Sequence, residues 1–251
     1  MVKELYKKGR IPIVSILFIA SCLIVVIFTK ANKELFYVFG TSNEPIYIWQ
    51  FFTGIFEHSI FSPITGKESE YFIFIHFATN LVNICLFGFI IENVFGPKKI
   101  FMLNILGTVV AYGVLLISAN GRLGMYAGAS GVVYSYIPPS LYIIYKKIKR
   151  DRCKIYKHVM TYIYAIVLIM DYLIISVLSS WEATGIYHLA ATVIGVIFLL
   201  KNKKLIDKEE FYQKGKYYNY TFMLVIIPIL LIVIAQLYIG GYLGSVYNWW
   251  R

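Results

Sequence analysis

One serine, two histidines and an asparagine have the types and spacing to do chemistry. Ser130 lies in Gly128-Ala-Ser-Gly131, His188 stands in an apolar run, and His76 precedes Asn80 by one helical turn. A serine hydroxyl becomes a nucleophile when a base within hydrogen-bond reach takes its proton, and an imidazole titrates in the right range to do so. The tetrahedral intermediate of acyl transfer then needs N–H donors aimed at its oxyanion. The Ser130 backbone N–H and the side chains of His76 and Asn80 are donors of that kind. Gly128 and Gly131 admit close approach of a substrate backbone or a neighbouring helix. Each fragment also has a plainer reading. A small-residue tetrapeptide suits helix packing, and a lone intramembrane histidine suits an interhelical hydrogen bond.

The elements that must position these groups follow from composition. Of 251 residues, 59% are apolar and 15% charged, with a mean hydropathy of +0.69. An average soluble domain is about 25% charged. The balance excludes a disordered chain and an ordinary water-soluble globule, and predicts an all-α polytopic membrane protein. A bilayer core takes about 20 apolar residues as helix. Seven stretches meet that demand: Ile11–Thr29, Tyr71–Ile91, Ile100–Ser118, Gly128–Tyr145, Val159–Ser179, Thr184–Leu200 and Thr221–Leu243. Hydrocarbon offers the backbone no partners, so these spans are helices. The fourth is the least apolar, with Ser130, Ser135, Pro138, Pro139 and Ser140, and belongs at the centre of the bundle. The first is read as a retained helix. Ile19-Ala-Ser-Cys22 resembles a lipoprotein cleavage box, but the apolar run continues to Phe28.

Charge sets the expected orientation. Lys and Arg number 24 against 13 Asp and Glu, a formal net charge of +11. Counted loop by loop, 19 of the 24 fall on one side, which puts the N-terminus in the cytoplasm and the C-terminus outside. The basic surplus therefore reads as a topology signal and a contact with the anionic lipid bilayer, with no nucleic acid as partner. The composition fits a bacterial plasma membrane. In the long external connection Lys30–Glu70, the apolar stretch Ile46–Phe56 is too short to span and reads as interfacial or re-entrant, while Ser59–Glu70 reads as an exposed turn. Cys22, Cys85 and Cys153 form no disulfide framework.

With this topology the second, fourth and sixth spans all enter from outside. At about 1.5 Å per residue, Ser130 lies roughly 4 Å from the outer end of its span, His188 roughly 7 Å and His76 roughly 9 Å. Asn80 is one turn below His76 on the same face. Together at one depth, these groups suit serine acyl transfer far better than four separate packing roles. Other chemistries fit less well. A metalloprotease wants H-E-x-x-H, whereas Glu57-His58 has the reverse order and no second histidine at the right spacing. Facing aspartates are absent, because Asp171 is the only aspartate in a span. No metal and no cofactor are expected. Asp171 is assigned to an interhelical hydrogen bond, which leaves Ser130 and His188 as a dyad. A small-solute transporter would need polar groups across the whole bilayer, and here they gather in the outer half.

These residues resemble the rhomboid intramembrane serine proteases, from about Trp49 to Leu200. The similarity runs through Trp49-Gln-Phe-Phe-Thr53 with Phe56-Glu-His58, His76-x-x-x-Asn80, Glu92-x-x-x-Gly96, Gly128-Ala-Ser-Gly131, and His188 with Gly195. The resemblance implies a rhomboid-like six-helix bundle plus one extra C-terminal transmembrane helix. It implies Ser130 and His188 as the dyad, His76 and Asn80 at the oxyanion, and Tyr134 against the catalytic imidazole, supported by Gly128. Its substrates would be transmembrane proteins, admitted past the second and fifth spans. A non-proteolytic rhomboid-like protein that binds membrane clients is the alternative. The expected organisation is a cytoplasmic N-terminus at 1–10, the six-helix domain at 11–200, a basic loop at 201–220, and the seventh helix with the C-terminus at 221–251. Three departures stand out. Gln50 replaces the usual arginine, which predicts looser anchoring of the first loop. Ala191 replaces a glycine, and Ser59–Glu70 lengthens the path from His58 to His76. Glu92 is expected to hold the cytoplasmic turn beside it.

Overall fold

The computed structural model describes residues 12–32, 34–40, 47–58, 70–118, 127–150 and 184–207. Among these every regular element is helical: α1 (Ile13–Ala31), α2 (Leu35–Phe39), α3 (Gln50–Thr53), α4 (Glu70–Asn83), a π turn (Ile84–Gly88), α5 (Phe89–Phe95), α6 (Pro97–Ser118), α7 (Ser130–Arg150) and α8 (Thr184–Asp207). The first, second, third, fourth and sixth expected spans are thus helices. The fifth span with Asp171, the seventh span, Cys153 and the turn at 59–69 lie outside the described residues. Among the described residues two helices are long and apolar enough to cross a membrane, His76–Phe95 and Pro97–Ile117, and Ile13–Thr29 is a shorter apolar one. The second span is one rod built from α4, the π turn and α5. At its end Gly96 takes φ +85°, a conformation an L side chain resists, and its N–H donates to the Glu92 carbonyl at 2.8 Å.

α7 is the central helix, as its polar composition predicts. It packs against α8 and α6, and Val132, Val133, Ser135, Tyr136 and Ser140 are all buried. Pro138 and Pro139 lie inside it without ending it. The α7–α8 crossing is close. Gly195 of α8 lies directly against the Ser135 carbonyl oxygen, and a methyl group there would also stand 2.9 Å from Pro138 Cδ. Ala191, where the resemblance suggested glycine, is fully buried on the same helix. Residues such as Ile27, Phe28, Phe101, Ile117 and Leu200 are exposed apolar groups on several helices, as hydrocarbon contact requires.

One end of the bundle is tied by Glu92. Its Oε1 accepts the Val14 N–H at 2.9 Å, and its Oε2 accepts the Ser15 N–H at 2.9 Å and the Ser15 hydroxyl at 2.8 Å. These amides lie in the first turn of α1, where the helix supplies no acceptor. The N-cap residue Pro12 gives no side-chain bond. The Glu92 side chain therefore caps a helix 77 residues away, while its backbone carbonyl holds the Gly96 turn beside it. Nearby, the Tyr136 hydroxyl donates to Asn104 Oδ1, linking α7 to α6.

Candidate active site

The opposite end of the bundle carries the sequence-selected residues. Ser130 is half-buried and opens α7. Tyr134, one turn further on, shares its helix face. The Tyr134 ring stacks on the His188 imidazole of α8, with centroids 3.9 Å apart and planes 6° apart. His188 is 3% exposed, and neither ring nitrogen has a hydrogen-bond partner. Its backbone carbonyl accepts the Thr192 hydroxyl at 2.8 Å. The imidazole is thus oriented by a ring face and not by a hydrogen bond.

His76 and Asn80 reach the same turn from α4. Gly128 sits at φ +119°, and its N–H donates to the Gly54 carbonyl at 2.8 Å. A methyl group on Gly128 would stand 2.7 Å from His76 Cε1, 2.9 Å from His76 Nε2 and 3.7 Å from Asn80 Nδ2. Both side chains therefore lie against the backbone just before Ser130, and only glycine satisfies the conformation and the space. His76 is also within Coulombic reach of His188. The structure therefore gathers Gly128, His76 and Asn80 at the turn, and Tyr134 with His188 at the helix that follows it. Among the described residues no group of three or more potential ligands is placed to hold a metal ion.

The first loop packs beneath this turn. Gln50 is fully buried. Its Nε2 donates to the Tyr37 carbonyl at 2.7 Å and its Oε1 accepts the Tyr47 N–H at 2.9 Å. The expected loosening is therefore not found: the amide offers a donor and an acceptor, and the loop uses both. The Trp49 indole N–H donates to the Val38 carbonyl at 3.1 Å, and the Thr53 hydroxyl to the Phe39 carbonyl at 2.7 Å. His58 is buried with its ring centroid 5.2 Å from that of His76 and 5.1 Å from that of Phe77. The lengthened connection therefore leaves the two histidines adjacent. Burial, reinforced by the nearby His76, pulls the His58 imidazole down to about 3, so it stays neutral. Glu57 is also buried, and desolvation pushes its carboxyl up to about 7. Sequence reading missed the burial of Glu57. An acidic residue beside apolar Ile55 and Phe56 was the available signal.

A family model, the Rhomboid domain, matches residues 70–203, just over half of the chain. The chain belongs to the rhomboid family of membrane-embedded proteins. Comparison with curated proteins gives no match. The match includes α4 through most of α8, and so His76, Asn80, Gly128, Ser130, Tyr134 and His188, while the first loop lies before it.

Proposed function

We propose that this chain is an intramembrane serine endopeptidase that cleaves transmembrane segments of other membrane proteins. Rhomboid membership supports intramembrane proteolysis as the class of activity. The observation that carries the residue assignment is the buried His188 ring. It is stacked on Tyr134, which stands one turn after Ser130 on α7, and neither of its ring nitrogens has a hydrogen-bond partner. In the proposed reaction His188 takes the proton from Ser130, and the Ser130 oxygen attacks the scissile carbonyl. The Ser130 N–H, His76 and Asn80 stabilise the oxyanion. His188 then protonates the leaving amine, and water arriving from the outer face hydrolyses the acyl-enzyme. The substrate helix must unwind locally, because a helical amide is shielded and hydrogen-bonded.

The test is cleavage of a fluorogenic transmembrane peptide by the purified chain in lipid nanodiscs, with fluorophosphonate labelling of Ser130. Ser130→Ala is expected to abolish labelling and to lower cleavage by about a thousandfold or more. Cleavage at the wild-type rate by Ser130→Ala would refute the assignment. A wild-type chain that binds the peptide but neither cleaves it nor takes the label would be a client-binding rhomboid.

A further inference from the structure

Tyr187 immediately precedes His188 on α8, and the proposed reaction gives it no part. Its ring is 6% exposed, with its centroid 5.1 Å from that of Tyr112 and 5.7 Å from that of His188. Its hydroxyl lies directly against Gly131. A methyl group on residue 131 would overlap that oxygen and stand 2.7 Å from Tyr187 Cζ. Residue 131 must therefore be glycine while Tyr187 occupies this space.

The Gly131 N–H belongs to the first turn of α7, where amides have no acceptor within the helix. The Val133 N–H, two residues on, is provided for differently: it donates to the Ala129 carbonyl at 3.0 Å. The Tyr187 oxygen is sealed from solvent, and no group meets it in full hydrogen-bond geometry. Its polar neighbours are the Gly131 N–H and the Tyr112 hydroxyl. A buried acceptor thus faces an amide in need of one, next to the nucleophile. From the other side, the Gly54 carbonyl holds the Gly128 N–H. The turn that carries Ser130 is clasped at residues 128 and 131, once by the first loop and once by α8.

We propose that Tyr187 is a positioning residue for Ser130: its hydroxyl accepts the Gly131 N–H and fixes the first turn of α7, and with it the aim of the Ser130 N–H and hydroxyl. This rests on the serine-protease reading. Misplacing a nucleophile by about 1 Å can cost on the order of a hundredfold in rate. Losing one anchoring bond at an otherwise intact turn costs less.

The test uses the full chain in nanodiscs, with rates expressed per Ser130 titrated by fluorophosphonate, so that a partly folded preparation still yields the ratio. Tyr187→Phe removes only the hydroxyl. It is expected to lower kcat by about tenfold or more and leave KM within about twofold, while the orphaned Gly131 N–H lowers the unfolding midpoint no more than Tyr136→Phe does. Tyr136→Phe removes a buried hydroxyl from the same α7 helix that bonds Asn104 instead. It should lower the midpoint and leave kcat within about twofold of wild type. A wild-type kcat in Tyr187→Phe, a change confined to KM, or an equal loss of kcat in Tyr136→Phe overturns the inference. Absence of labelling in the wild type overturns the protease reading itself, and this inference with it.

Discussion

The two ends of the bundle treat buried polar groups in opposite ways. At the Glu92 end they are bonded. One carboxylate accepts three hydrogen bonds, and the Tyr136 hydroxyl meets Asn104. At the Ser130 end both nitrogens of His188, the Tyr187 hydroxyl, Asn80 Nδ2 and His58 Nε2 are buried without a partner. Ser140, unbonded midway along α7, and Gln50, bonded through both amide atoms in the first loop, are exceptions to this segregation. A buried polar atom left unbonded costs about 1–3 kcal/mol, so a cluster of them at one end is expensive. Such a cluster marks a place where a ligand or a developing charge supplies the partner. One end keeps the helices together, and the other keeps donors and acceptors in reserve.

That contrast predicts a dissociation between activity and stability. The largest effect is expected for His188→Phe. An apolar ring keeps the stack on Tyr134 and loses no hydrogen bond, so cleavage should fall by about a thousandfold or more while the unfolding midpoint holds or rises. A large loss of stability would show that His188 has a structural duty and would break the contrast. Glu92→Ala should do the reverse. It orphans two amides and a hydroxyl, and is expected to cost about 3 kcal/mol in unfolding titrations, with labelling of Ser130 retained in the folded fraction.

Glu57 sharpens the comparison through pH. Its folded-state carboxyl titrates near 7, against 4.5 when unfolded. The folded state therefore favours the protonated form. The resulting stability is fully present below about 4.5 and is lost as pH rises to about 7. Glu57→Gln should flatten the pH dependence of the midpoint across that window and raise stability at pH 8 by up to about 3 kcal/mol. The smallest effect is expected at the exposed pair Lys146 and Asp207, 2.6 Å apart, where the Tyr142 hydroxyl also donates to Asp207 at 2.9 Å. Solvent screens this cluster, so Lys146→Met should leave the midpoint within the error of the titration.

What the sequence could reveal depended on how far apart the partners lie along it. His76 and Asn80 share a face because four residues separate them, and Ser130 and Tyr134 do so for the same reason. The spans themselves follow from hydropathy over about 20 residues. The Glu92 cap joins residues 77 apart, and Gln50 reaches back to Tyr37. No local pattern announces either. Gln50 in place of arginine looks like a loss because a missing charge is visible in a string of letters. The two backbone groups that a neutral amide can serve become visible only in the fold. Tyr187 was passed over for a similar reason, since a tyrosine in an aromatic-rich chain carries no local mark of its neighbour.

The π turn at Ile84–Gly88 has a consequence for heredity. Gly88 packs against Ser15 of α1 and Tyr136 of α7, while His76 and Asn80, upstream of the turn, address the Ser130 turn. A π turn closes i→i+5 bonds and so carries one more residue than the α turn it replaces, so removing a single codon within 84–88 would close it into regular α-helix and keep both faces on their targets. A codon lost anywhere else between Asn80 and Gly88 would rotate the working half against the anchored half by about 100°, so the π turn is where this rod absorbs a change of length.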